Sequence, residues 1–92
     1  MKQITLTILN KLGLHARPCA LIVGRLEQFN ASVKFDNGIM TVDAKSILSL
    51  MQLAASQDCN ILITIDGLQE EEEEIIKILT ELFNSKFKEA YI

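Results

Sequence analysis

The residues with the most chemical promise are Gly13-Leu14-His15-Ala16-Arg17-Pro18, where the only histidine of the chain precedes an arginine by two positions. Apolar residues at helical spacing from Cys19 onward put this segment at the start of a helix, with Pro18 just inside it. The first N–H groups of a helix have no internal acceptor, so those of Ala16 and Arg17 are open to an oxyanion carried on His15. Arg17 can add a charge-assisted, bidentate contact. Pro18 has no N–H to strand, and its fixed φ helps the helix to start.

An imidazole with an ordinary pKa of about 6.5 is largely unprotonated near neutral pH, hence nucleophilic, and is a good leaving group once protonated. A helix N-terminus contributes on the order of 0.3–1 kcal/mol to an exposed anion, so a phosphoryl group there would be held gently and passed on. That favours a relay over a hydrolase. Composition and spacing leave open, on about equal terms, an ordinary loop histidine beside a solvated arginine. The sequence offers no Walker-type glycine loop, no carboxylate pair around a nucleophile and no metal-ligand set, so a second protein would have to do the activating.

A second feature is Lys45-Ser46-Ile47-Leu48, with Ser46 placed to cap a helix that runs through the apolar stretch Ile47–Ala55. That stretch is apolar almost all round, yet a short helix on a sheet buries one stripe. With Leu50 and Leu53 inward, Leu48 and Met51 point outward, and Ala16, Ala20 and Gly24 share the outward side of the first helix. Together they make a shallow apolar patch around His15, suited to a transient partner. A tightly packed core helix is the alternative.

Ninety-two residues with 49% hydrophobic and 23% charged content suit one domain with one core, too apolar for disorder. A net charge of -3 supplies no basic field for nucleic acid, and 5% aromatic residues without Trp supply no stacking platform. Cys19 and Cys59 stand in apolar settings without a CxxC motif, as buried reduced thiols rather than a disulfide or zinc framework. No cofactor or metal is expected. The N-terminal segment alternates instead of running apolar, and the longest apolar run is Cys19–Val23, so neither a leader nor a membrane span is expected and the chain reads as cytoplasmic.

Alternation through Ile4, Leu6 and Ile8 predicts a first strand over residues 3–9, followed by a helix over about Ala16–Phe29. Ala31–Asp36 and Ile39–Asp43 read as a hairpin around a two-residue Asn37-Gly38 turn, with Met40 and Val42 on one face. After the Ser46 helix, Asn60–Ile65 alternates through Ile61, Ile63 and Ile65 to an Asp66-Gly67 turn. A last helix from Gln69 carries Ile75, Ile78, Leu79, Leu82 and Phe83, with Glu70–Glu74 complementing its dipole and Lys86 and Lys88 near its end. The order β-α-β-β-α-β-α, with strands polar on one face, predicts a two-layer α+β sandwich: a four-stranded antiparallel sheet with three helices on one face. Concentrating acid on the last helix leaves Arg17 and Lys45 to keep the phosphoryl site locally basic.

The six residues around His15, the Lys45-Ser46-Ile47-Leu48 segment, the Asn37-Gly38 turn and the element order resemble the HPr family of phosphocarrier proteins over the whole chain. The resemblance implies one HPr-like domain over residues 1–92, a monomer of the phosphoenolpyruvate:sugar phosphotransferase system that is a stoichiometric carrier and not an enzyme. It implies that enzyme I, charged by phosphoenolpyruvate, phosphorylates His15 on Nδ1, that Arg17 and the amides of Ala16 and Arg17 stabilise the phosphate, and that an enzyme IIA domain receives it. It further implies that Ser46 is the residue an HPr kinase/phosphorylase modifies in some bacteria, and that Ala20, Gly24, Ile47, Leu48 and Met51 dock partners. Cys19, Ser49, Ala54 and Glu27 depart from the usual family residues. Asn10-Lys11-Leu12-Gly13 and Leu82-Phe83-Asn84-Ser85 are similar to the nitrogen-related branch. Two other readings stand beside the carrier: a regulatory module acting through its phosphorylation state, and a small-ligand-binding α+β domain.

Overall fold

A computed structural model describes residues 1–88; residues 89–92, the end of the expected domain, lie outside the described residues. Seven main elements follow in the expected order: β1 (Lys2–Thr7), α1 (Ala16–Leu26), β2 (Ser32–Asp36), β3 (Thr41–Asp43), α2 (Ile47–Gln52), β4 (Asn60–Asp66) and α3 (Gln69–Asn84). The strands form one antiparallel sheet in the order β1-β4-β2-β3.

Alternation decides which face is buried. In β4, Ile61, Ile63 and Ile65 are fully buried while Leu62 is exposed and Thr64 half-buried. Register aligns Ile63 with Ile4 of β1 on one side and Phe35 of β2 on the other, and Ile65 with Val33, so one apolar layer crosses the sheet. Against that layer the helices place Cys19, Ile22 and Leu26 of α1, Leu50 of α2, and Ile75, Ile78, Leu79, Leu82 and Phe83 of α3. Each fully buried isoleucine or leucine is worth about 1.5–3 kcal/mol of transfer free energy, an upper bound given a compact unfolded chain.

Several boundaries differ from expectation. Helix α1 stops at Leu26 rather than Phe29, because the chain tightens into a turn where the Phe29 N–H donates to the Leu26 carbonyl (3.0 Å). The hairpin loop has four residues instead of two: Asp36 pairs with Thr41, and the Asn37 side-chain oxygen accepts the N–H groups of Ile39 and Met40 (2.9 Å each). An Asx turn thus takes the N–H groups that the ladder would have used, leaving Ile39 92% exposed and Met40 exposed ahead of β3. Helix α2 ends at Gln52, short of Ala55, because Ala54 takes a left-handed φ of 49°.

Lys86 and Lys88 lie beyond α3, in a left-handed turn over Lys86–Lys88 that folds Phe87 back onto Phe83, ring centroids 4.9 Å apart. The glutamate run does more than complement the dipole. Glu71 accepts the Ala31 N–H (3.0 Å), and the buried Glu72 accepts the Gly67 N–H (3.0 Å) and lies 3.1 Å from the Met1 ammonium. Those two contacts, the Gly67 bond foremost, hold the Glu72 carboxyl below the usual carboxylate range. Cys19 is buried as expected, whereas Cys59 is only half-buried.

Candidate functional site

His15 is the N-cap of α1, with extended backbone (φ −83°, ψ −172°), and its carbonyl accepts the Cys19 N–H (3.2 Å), the first bond of the helix. By that geometry the N–H groups of Ala16 and Arg17 precede any intrahelical acceptor, and Pro18 contributes none. Pro18, Cys19, Ile22 and Leu26 form the buried stripe of α1, so Ala16, Arg17, Ala20 and Gly24 are exposed and His15 is half-buried. His15 thus precedes two exposed residues whose backbone N–H groups lie ahead of the helix ladder, and the second of them, Arg17, carries the positive charge nearest to it in sequence.

The approach to His15 is held tightly. Gly13 has φ +67° and packs so closely on the segment after α2 that a Cβ there would lie 2.3 Å from the Ala55 carbonyl oxygen. The next residue, Leu14, donates its N–H to the same oxygen (2.9 Å). Burial pushes the Cys19 thiol up to about 11, so it stays protonated, and its Sγ–H donates weakly to the Leu14 carbonyl (3.6 Å). The inward placement expected of Cys19 is what the structure has.

Ser46 caps α2 as expected: its Oγ accepts the Ser49 N–H (3.3 Å) and its carbonyl accepts the Leu50 N–H (3.0 Å). Ser46 and His15 are nonetheless at opposite ends of the site. The Leu14–Ala55 bond joins the start of α1 to the end of α2, and the Lys45 Nζ donates to the Phe29 carbonyl beyond the end of α1, so the two helices run antiparallel. Eleven residues of α1 at about 1.5 Å each separate those ends by roughly 16 Å. Lys45 is thereby spent on the Phe29 carbonyl at the far end, and the local positive charge beside His15 is that of Arg17, a correction to the expected pair.

Leu50 and Leu53 are buried, whereas Leu48 is 75% exposed, Met51 41% and Ile47 40%. With the exposed Ala16, Ala20 and Gly24 of the neighbouring α1, these side chains leave an apolar strip that extends from the His15 end of α1 toward Ser46. Among the described residues no group of three or more His, Cys, Asp or Glu side chains stands together to hold a metal ion, and no helix is long and apolar enough to cross a membrane. Asn10 and Ala55, which brace the histidine loop, were not among the expected site residues. The one signal for Asn10 was an amide directly after the apolar strand residues Ile8 and Leu9.

An open-faced sandwich that presents a histidine at a helix N-terminus, beside an arginine and an apolar strip, has the build of a small phosphoryl carrier. The family model described as "PTS HPr component phosphorylation site" matches residues 2–85, and the chain belongs to the HPr family of the phosphotransferase system. It is 42% identical over 89 residues to the phosphocarrier protein HPr of Xylella fastidiosa strain Temecula1, covering 97% of this chain and 98% of that one. To the phosphocarrier protein HPr of Pseudomonas aeruginosa it is 40% identical over 91 residues, covering 98% and 99%. The crystal structure of HPr-C-His from Thermoanaerobacter tengcongensis superposes with a TM-score of 0.89 at 41% identity, covering 99% of this chain and all of that one. Family membership supports a phosphocarrier role rather than that of a catalytic enzyme, with phosphotransferase-system proteins such as enzyme I and enzyme IIA as the family's partners.

Proposed function

We propose that this chain, as a single monomeric domain in the cytoplasm, accepts a phosphoryl group on His15 from phospho-enzyme I and hands it to an enzyme IIA domain. The observation that carries the reading is His15 standing as the N-cap of α1 directly before two amides without intrahelical acceptors. In the forward step the lone pair of Nδ1 forms the N–P bond while the donor's bond to phosphorus breaks and keeps its electron pair. Release to the IIA domain reverses those roles. The Ala16 and Arg17 amides and the Arg17 guanidinium hold the phosphoryl oxygens throughout.

Ala20, Gly24, Ile47, Leu48 and Met51 form the face on which both partners dock. Its low relief and lack of charge suit two partners that must each leave quickly. Ser46 is a candidate regulatory site for an HPr kinase/phosphorylase. Phosphate there adds about -1.5 to -2 charge at a helix N-terminus, so it strengthens α2 and acts through the docking face near Ile47 and Leu48, not through His15. Phosphoenolpyruvate with catalytic enzyme I should add one acid-labile, base-stable phosphate to the wild type and none to His15→Ala. Retained labelling in that variant would overturn the assignment.

A further inference from the structure

The segment that delivers the chain to His15 contains one fully buried polar side chain, Asn10. Burying an amide without partners costs a few kcal/mol, so its bonds define where it must sit. Its Nδ2 donates to the Gly13 carbonyl at 2.7 Å, and the Gly13 N–H returns a bond to the Asn10 carbonyl at 3.2 Å. Residues 10–13 are thereby closed into a turn from both sides. The turn is rooted in the sheet: the Ile8 N–H donates to the Cys59 carbonyl (2.9 Å), and the Ile8 carbonyl accepts the Asp58 N–H (2.7 Å).

Downstream, Gly13 has no room to move toward Ala55, and Leu14 is tethered to the Ala55 carbonyl through its N–H and to the Cys19 thiol through its carbonyl. The two residues before His15 are therefore clamped between Asn10 on one side and the end of α2 on the other. We propose that Asn10 is a positioning residue for His15, acting through the Gly13 carbonyl to set the direction in which the chain enters α1. Asparagine suits this place because the bond needs a donor that reaches a carbonyl three residues on. Aspartate, nearly the same shape, is acceptor-only when ionised and would oppose one oxygen with another.

The inference rests on His15 being the reacting residue, and its test separates the two claims. Asn10→Asp, Asn10→Ser and a remote core control, Ile63→Val, are compared with the wild type by thermal melting, by the imidazole resonances of His15 in the unphosphorylated protein, and by steady-state phosphorylation with enzyme I and phosphoenolpyruvate. Both Asn10 variants should move the His15 resonances and lower kcat about 10- to 100-fold, with a smaller change in KM, the loss expected when a reacting group is displaced by about 1 Å. Ile63→Val, chosen to lower Tm, should leave resonances and kcat at wild-type values. Asn10 variants with wild-type resonances and kcat would overturn the proposal, as would a control that changes both as much as they do. If Asn10→Asp does not fold, Asn10→Ser decides. A wild type that takes no phosphate would defeat the carrier reading, while the resonances would still report whether Asn10 positions the ring.

Discussion

Two glycines, given the same substitution, should respond with opposite sign. Gly13 has φ +67°, and an added Cβ would meet the Ala55 carbonyl oxygen at 2.3 Å; Gly24, exposed in α1, would present its Cβ to nothing within 4 Å. In Gly13→Ala the left-handed backbone costs about 1–2 kcal/mol, against about 0.4–1 kcal/mol recovered from a less free unfolded chain. The obstacle is backbone rather than a flexible side chain, so Ala55 or Gly13 must withdraw. That breaks the Leu14 N–H bond and exposes the penalty of an unsatisfied donor, about 1–3 kcal/mol. The net loss is about 2–4 kcal/mol, out of a total stability of about 5–14 kcal/mol for a chain of this length. Gly24→Ala instead gains about 0.5–1 kcal/mol of helix propensity. Urea unfolding of both variants measures the difference, and at about 4–8 °C per kcal/mol the melting temperatures should part by about 10 °C or more. A Gly13→Ala protein within about 0.5 kcal/mol of wild type, where surface substitutions normally fall, would refute the reasoning.

Ala54 holds a left-handed φ of 49°, so Ala54→Gly should raise the denaturation midpoint, by about 0.5–1 kcal/mol in stability, and a loss of stability would show that its side chain packs. The Cys19 thiol is raised from 9.0 to about 11 by burial, so the native protein binds that proton more tightly than the unfolded chain. This contribution is complete below about pH 9 and lost as pH rises toward about 11. Iodoacetamide near pH 8 should modify the half-buried Cys59 well before Cys19, as peptide mass analysis will register. Glu72 has the opposite sign: its carboxyl is depressed first by the Gly67 N–H and then by the Met1 ammonium. Its stabilisation is present above the ordinary carboxylate range and lost as pH falls through the depressed value. Glu72→Gln should therefore lower Tm near neutral pH and flatten the acid limb of a Tm-against-pH curve, whereas an unchanged acid limb would deny Glu72 that role.

The parts of the fold legible in sequence were those set by neighbours along the chain. Ile61, Ile63 and Ile65 announce a buried strand face by alternation alone, Ser46 announces a helix start because cap chemistry acts over three residues, and Pro18 with the apolar spacing behind it announces the start of α1. Boundaries were lost where a side chain competed with the backbone. Asn37 took the N–H groups of Ile39 and Met40 and shortened β3, and the left-handed Ala54 ended α2 early. The charge of Lys45 was readable, but its destination at the Phe29 carbonyl depends on two helices lying antiparallel. The brace on the histidine loop was invisible for the same reason: Gly13 and Ala55 meet across more than forty residues of chain, and no local pattern encodes that contact.

The central claim is that a phosphoryl group on His15 is held by the amides of Ala16 and Arg17. An 1H–15N spectrum of the chain charged by enzyme I and phosphoenolpyruvate tests it directly. The expected result is phosphorus coupling at the His15 ring nitrogen Nδ1, together with the largest downfield amide shifts at Ala16 and Arg17 and little change at Ser46. A charged protein whose ring nitrogens show no phosphorus coupling, or whose Ala16 and Arg17 amides stay in place, would contradict it.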